Sequence, residues 1–116
     1  MNSSGRAFVT LCCIILLTTS CGGMTKAGVI NRNIERGNVI VGAINHYQED
    51  HGSLPEQLDI LVPDYLPEIP RTITGGSYEF ILSSIDIYML CFDVPGANPG
   101  CCYLRRHEAW DCSYGD

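Results

Sequence analysis

Positive charge is scarce in this 116-residue chain, with seven Lys and Arg against 13 Asp and Glu and a formal net charge of −6. Arg6 is the only charged residue among the first 25, and without it six cations face 13 acids, a net charge of −7. An acidic surface repels phosphate backbones, which argues against nucleic-acid binding. Apolar residues make up 46% and charged residues only 17%, a balance typical of a folded chain.

Long apolar runs and phosphate-binding motifs are also missing. No stretch of 18 or more strongly apolar residues follows residue 24, which excludes a polytopic membrane protein. The Gly-rich segment 96–100 lacks the Lys and the following helix of a phosphate-binding loop. About 90 residues remain for the fold, enough for one modest core but too few for most enzymes with separate cofactor and substrate domains. We therefore expect one domain that is not an enzyme.

The N-terminus has the pattern of an export signal. Residues 1–6 are polar with one positive charge, and residues 7–19 form an uncharged apolar run. As a helix that run would span about 20 Å, short of the roughly 30 Å hydrocarbon core of a bilayer, which favours a secretory signal over a spanning helix. Small residues then lead to Cys21 and two glycines. This resembles a bacterial lipoprotein signal, in which the Cys is acylated and becomes the new N-terminus.

These features predict three segments: a signal peptide at residues 1–20, a lipid-attached tether at 21–25 and a folded domain at 26–116. Cys21 is the expected palmitate attachment site. Thr18 stands where such signals usually have Leu, so cleavage without lipidation and an uncleaved anchor stay open as alternatives. All three export the domain, and the expected location is the periplasmic face of a membrane in the bacterial cell envelope.

Cysteine usage also fits export. Cys12 and Cys13 lie in the leader. The remaining cysteines cluster near the C-terminus: Cys91, Cys101, Cys102 and Cys112. An even number of clustered Cys in an exported chain indicates disulfides. The spacing lacks the C-x2-C pattern of zinc sites, and adjacent Cys on a strand point to opposite faces, which disfavours a shared metal ion.

The expected strand register suggests a pairing for these four residues. A hairpin centred on His107 would place Cys102 opposite Cys112, and a hairpin centred near residue 96 would place Cys91 opposite Cys101. Directly opposed Cβ atoms come within reach of a disulfide. We therefore predict a Cys102–Cys112 bond. We also predict a Cys91–Cys101 bond, although the longer loop of that hairpin constrains the strand register less.

Apolar spacing predicts one long helix followed by strands. From residue 26 to 51 apolar residues recur at steps of three, four and seven, and Gly52 is a natural left-handed stop. Ser53 and Glu56 fit a capping box for a short helix at 55–61. Period-two alternation then predicts strands at 78–82, 85–92, 101–105 and 109–113. The layout is α+β, with the helix lying across an antiparallel meander of three or four strands.

An ordered series of short motifs extends through the helix and the first strands. It comprises residues 43–47, 50–55, 58, 61–67, 69–70, 75–76, 78, 80 and 88–90, among them His51-Gly52, Leu61-Val62-Pro63 and Tyr65-Leu66-Pro67. Over about residues 26–92 the chain resembles the globular part of type II secretion major pseudopilins and related type IV pilin-like domains. The resemblance implies a pilin-like fold and a structural or interaction role, with a protein partner and a possible link to type II secretion.

The N-terminus departs from a pilin precursor. Gly5 is followed by Arg6 instead of an aromatic residue, and Thr10 stands where the helix-heading Glu belongs. The preferred interpretation is a pilin-like domain delivered as a lipoprotein, with an added Cys-rich hairpin. A divergent filament subunit that uses residues 5–24 as its helix is one alternative, and a small metal-binding domain is another.

No arrangement of side chains predicts catalysis, and no cofactor is expected. His46 and His51 are about 140° apart around a helix and make poor co-ligands, so they are interpreted, with His107, as surface residues. Major pseudopilins are known for a calcium site near the end of the sheet. The hard oxygen ligands in that region are Asp86, Asp93, Asp111 and Asp116, but none matches the family's motif position, and solvated acids are the preferred interpretation.

Overall fold

The computed structural model describes residues 25–94 and 97–114. One long helix, α1 (Lys26–His51), precedes a 3₁₀ turn (Leu58–Leu61) and four strands: β1 (Glu79–Ser84), β2 (Ile87–Val94), β3 (Ala97–Leu104) and β4 (Ala109–Tyr114). The strands form one antiparallel sheet in the order β1-β2-β3-β4. The predicted α+β class, a helix packed on an antiparallel meander, is confirmed. Within the described residues no helix combines the length and apolarity needed to cross a membrane.

Both ends of α1 are capped as helix chemistry requires. The Thr25 hydroxyl accepts a hydrogen bond from the Gly28 amide at 3.1 Å and so pairs one free donor of the first turn. Gly52 adopts φ 75°, and its amide donates to the Gln48 carbonyl at 2.8 Å. Glycine takes this left-handed conformation without steric cost, which explains why the helix ends where its sequence predicts.

The core lies between the buried stripe of α1 and one face of the sheet. Ile40 and Ile44 are fully buried in the helix, and the proline-rich segment after it contributes Leu54, Leu61 and Leu66. A row of cross-strand neighbours runs across the sheet against them: Phe80, Leu90, Tyr103 and Trp110. Because α1 packs across these strands, a helix too glycine-rich to be stable alone is held by tertiary contacts.

Two local predictions were wrong. The capping box does not form: the short helical turn begins after Gln57, makes no side-chain cap bond and covers only Leu58–Leu61. Leu54 and Pro55 are buried in this segment, so tertiary burial overrides the local capping signal. The predicted loop before Cys101 is also shorter than expected, because β3 already begins at Ala97.

A turn forms at Gly75 and Gly76. The Gly75 amide donates to the Thr72 carbonyl at 2.9 Å, and the Thr72 amide donates back to the Gly76 carbonyl at 2.9 Å. Asn33, which is buried in α1, ties this loop to the helix by accepting from the Ile73 amide at 2.9 Å. The irregular segment is therefore fixed at both ends, by apolar burial at 54–66 and by hydrogen bonds at 72–78.

Candidate functional site

All four cysteines near the C-terminus form disulfides, but with partners other than those predicted. Cys91 bonds Cys102, and Cys101 bonds Cys112, and in each pair the Cα atoms are 4.0 Å apart. The predicted pairs Cys102–Cys112 and Cys91–Cys101 were wrong. Cys21, the expected lipid attachment site, lies outside the described residues.

The physical reason is a register that differs by one residue in both hairpins. Cys102 lies opposite Asp111 instead of Cys112, and Cys91 lies opposite Cys102 instead of Cys101. Each strand alternates its side chains between the two faces of the sheet, so a shift of one residue exchanges the partner of every cysteine. Because Cys101 and Cys102 are adjacent on β3, the two bonds lie on opposite faces of the sheet.

One face of the sheet holds the Cys101–Cys112 bond and the other holds Cys91–Cys102. Cys101 is fully buried and belongs to the same core as Tyr103 and Phe92, whereas Cys112 is exposed. Cys91 and Cys102 are both 3% exposed and stand outside that core cluster. Together the bonds join β2 to β3 and β3 to β4, so the C-terminal half of the sheet is covalently continuous.

A bulge beside Gly100 fixes the register of β2 with β3, and the turn between Leu104 and Ala109 sets the register of β3 with β4. The pairing of β3 with β4 shifts between Gly100 and Cys102, and the pairing of β2 with β3 shifts between Phe92 and Val94. Gly100 has φ 94°, and a Cβ at this position would lie 2.6 Å from the Phe92 carbonyl oxygen. Only glycine permits that approach and that backbone angle. The sequence showed this glycine as part of a loop, which concealed the bulge.

Trp110 fastens the same hairpin to the helix. Its indole ring lies over Gly37, where a Cβ would come within 2.5 Å of the ring atoms Cη2 and Cζ2. The indole Nε1 donates a hydrogen bond of 2.8 Å to Asn38 Oδ1, and the ring packs against Phe92 and Tyr103 with centroids 5.6 Å apart. Sequence reasoning missed Gly37 as its seat, although this glycine lies on the buried stripe, three residues from Ile34 and from Ile40.

The two helix histidines surround a tyrosine. His51 stacks on Tyr47 at 4.1 Å, and the rings of His46 and His51 lie 6.0 and 6.2 Å from that of Tyr65. The Tyr65 hydroxyl donates to Asp50 Oδ2 at 2.8 Å, and this bond, with a smaller contribution from desolvation, raises the pKa of Tyr65 to about 12. Both histidines are exposed, as predicted, and the cluster joins the helix end to the proline-rich segment.

Three of the acidic residues considered for calcium lie in different elements: Asp86 in the turn between β1 and β2, Asp93 in β2 and Asp111 in β4. Asp86 Oδ1 accepts from Gln48 Nε2 at 3.4 Å, and Asp111 Oδ1 accepts from the hydroxyl and amide of Ser113 at 2.6 and 2.9 Å. Those two bonds from Ser113 hold the pKa of Asp111 below its usual range. Asp93 is exposed at the end of β2, and Asp116 lies outside the described residues. Among the described residues, no three His, Cys, Asp or Glu side chains are placed to hold a metal ion.

At the end of the sheet that holds the β1–β2 and β3–β4 turns, apolar side chains lie next to Arg105 and Arg106. A shallow cleft of about 260 Å³ lies between the two hairpin tips, lined by Ile87, Met89, Leu104 and Arg106 among others. At the neighbouring turn Ile85 is 79% exposed. The cleft is shallow and open, and Ser83, Tyr88 and His107 also line it.

No family model, no curated protein and no solved structure matches this chain. The likeness to pseudopilins therefore depends on the ordered motifs of residues 26–92.

Proposed function

We propose that this protein is an exported, lipid-anchored, pilin-like structural or interaction module of the bacterial cell envelope, linked to type II secretion and working by contact with a protein partner. The observation that carries the proposal is the pair of disulfides at the end of a chain that begins with a lipoprotein-like leader. Disulfides persist in oxidising compartments and are rare in the cytosol. Leader and cysteines thus independently indicate the same compartment.

The pilin-like part of the proposal is supported by the motif series and by the order of elements. A long N-terminal helix packed on an antiparallel meander is the layout that the resemblance implies. A tether at residues 21–25 would lead directly into α1, which begins at Lys26. The helix is about 39 Å long, so its C-terminus would lie far from the membrane. The turn between β1 and β2 and the turn between β3 and β4 lie beside that C-terminus and would therefore be accessible to a partner.

Metabolic labelling with palmitate tests the anchor. We expect the wild-type chain to be labelled and shortened to begin at Cys21, and Cys21→Ala to lose the label. Cys12→Ala is the matched control, since this cysteine lies inside the leader and should leave labelling unchanged. Retention of the label in Cys21→Ala would reject the lipoprotein part. An intact mass of membrane-extracted protein reports cleavage, acylation and oxidised cysteines together.

Dependence on prepilin peptidase separates this proposal from a filament subunit. Processing that needs the peptidase, together with cross-linking into an assembled pseudopilus, would replace the lipoprotein interpretation with the filament one. Native protein in the cytosol with all thiols free would reject both interpretations.

A further inference from the structure

The two disulfides cross along the sequence. Cys101 lies inside the loop closed by Cys91–Cys102, and Cys102 lies inside the loop closed by Cys101–Cys112. Neither bond joins cysteines that are consecutive in the chain. The uncrossed alternative, Cys91–Cys101 with Cys102–Cys112, does join consecutive cysteines. The two pairings therefore differ only in which of the adjacent residues Cys101 and Cys102 bonds Cys91 and which bonds Cys112.

Loop entropy in the unfolded chain does not favour the native pairing. Both native bonds span 11 residues, and both bonds of the uncrossed alternative span ten. Loop closure scales with length to the power 3/2, so each non-native loop closes about 1.2-fold more readily than its native counterpart. In a chain exported from its N-terminus, Cys91 and Cys101 also emerge before Cys102 and Cys112. Oxidation before the sheet has folded therefore produces the uncrossed pairing at least as often as the crossed one.

The uncrossed pairing is incompatible with the folded sheet. Cys101 points into the core beside Tyr103, whereas Cys91 is on the opposite face. A Cys91–Cys101 bond across neighbouring strands would require a slip of one residue, which turns Tyr103 and its neighbours out of the core. The fold thus selects the crossed pairing whenever disulfides can exchange, but it cannot form while the uncrossed bonds are in place.

We infer that this protein is a substrate of a thiol–disulfide isomerase in the oxidising compartment that the proposed function assigns to it. The isomerase thiolate attacks Sγ of Cys101 in the Cys91–Cys101 bond, which forms a mixed disulfide and releases the Cys91 thiolate. That thiolate attacks Sγ of Cys102, forming Cys91–Cys102 and releasing the thiolate of Cys112. Cys112 then attacks Sγ of Cys101 in the mixed disulfide, which forms Cys101–Cys112 and returns the isomerase thiolate. Two bonds break and two form, with no net oxidation or reduction.

In vitro oxidation of the full chain tests the inference. Cys12, Cys13 and Cys21 are replaced by Ser, so that only the four sheet cysteines can pair. The reduced chain is oxidised in native buffer by a dithiol oxidase, with an active isomerase or with the same isomerase alkylated at its active-site thiols. Pairing is read by tandem mass spectrometry with fragmentation between Cys101 and Cys102. We expect the uncrossed form in about half of the molecules or more with the alkylated enzyme, and at least about a twofold gain in the crossed form with the active enzyme.

The double variant Cys91→Ser/Cys102→Ser, made in the same background, is the matched control. It retains only Cys101 and Cys112, has no choice of partner, and should oxidise completely without active isomerase. Nearly complete crossed pairing of the four-cysteine chain with the alkylated enzyme would overturn the inference, as would an uncrossed form that active isomerase does not convert. The acyl site is absent from this chain, so failure of the lipid anchor and failure of the isomerase inference remain distinguishable.

Discussion

Two regions of the chain are fastened to α1 by different means. The loop at residues 71–78 is held by two hydrogen bonds, a partly buried one from the Ile73 amide to Asn33 Oδ1 at 2.9 Å and a buried one from the Tyr78 hydroxyl to the Asn33 carbonyl at 2.6 Å. The β3–β4 hairpin is held to α1 by Trp110, and two disulfides join its strands to each other and to β2. The two regions meet at Gly37, where a Cβ would lie 3.3 Å from Tyr78 and 2.5 Å from Trp110.

The difference shows that the two attachments depend on different physical terms. Hydrogen bonds in the loop satisfy polar groups that would otherwise be buried without partners, so their loss carries a desolvation cost. Disulfides in the hairpin restrict the unfolded chain, and Trp110 contributes area and close packing. Substitutions in the hairpin should therefore act through chain entropy and packing, and substitutions in the loop through polar satisfaction.

Removing a disulfide should have the largest effect. Loss of one native bond from a small exported domain typically costs about 2–5 kcal/mol. Cys101→Ser, Cys112→Ser and their double variant should therefore lower the free energy of unfolding by the same amount, measured by chemical denaturation. Cys102→Ser combined with Cys112→Ser removes both bonds and should lose more than either single variant. Equal losses for that combination and its single variants would instead support the sequence-based pairing.

Gly37→Ala should have the next largest effect. Alanine would gain up to about 1 kcal/mol of helix propensity, but its methyl group would overlap the Trp110 ring, and overpacking typically costs about 1–3 kcal/mol. We expect net destabilisation and a shift in Trp fluorescence. Gly42→Ala is the matched control in the same helix, because a Cβ there has nothing within 4 Å. It should stabilise the protein by about 0.5–1 kcal/mol. Stabilisation by both substitutions would show that Trp110 is not seated on Gly37.

Asn33→Ala and Asn38→Ala compare how much a side-chain hydrogen bond to α1 stabilises the loop and the hairpin, respectively. Asn33 is 1% exposed, and its loss leaves the Ile73 amide without its acceptor, at a cost of about 1–3 kcal/mol. Its Nδ2 has no partner among the described residues, so removing that group offsets part of the cost. Asn38→Ala is the control, because this exposed residue accepts from Trp110 and should cost about 0.5 kcal/mol. Equal thermal denaturation midpoints would contradict the contrast between the two regions.

The helix and the strands were predictable because their signals are local and repeated. Spaced apolar residues such as Ile40 and Ile44 mark the helix, and Gly52 marks its end. The disulfide partners were not predictable in this way, because they depend on a register set by the bulge beside Gly100 and by the turn between Leu104 and Ala109. A one-residue error leaves the alternating pattern intact and still exchanges every partner.

The packing of Trp110 against Gly37 was not predicted from the sequence for a different reason. Helical periodicity identifies buried positions from large apolar side chains, and Gly37 has none. A glycine on the buried stripe, at spacings of three from Ile34 and Ile40, was the available signal for a close approach. Its aromatic partner lies 73 positions later, and only the folded sheet brings the two together.

Tyr78→Phe should have the smallest effect at neutral pH, and the effect should depend on pH. Loss of the hydroxyl bond to the Asn33 carbonyl costs about 1 kcal/mol. Burial raises the pKa of Tyr78 to about 12 from an ordinary value of 10. Below pH 10 the phenol is neutral in both the folded and unfolded chain, and its stabilising contribution is complete. Between pH 10 and 12 the unfolded chain releases this proton while the folded chain retains it, so that contribution is lost as pH rises.

The stability advantage of wild type over Tyr78→Phe, measured by denaturation at pH 8 and pH 11, should therefore shrink at the higher pH. A constant difference would mean that the Tyr78 hydroxyl is not buried in the folded protein, and the loop would then be fastened through Asn33 Oδ1 alone.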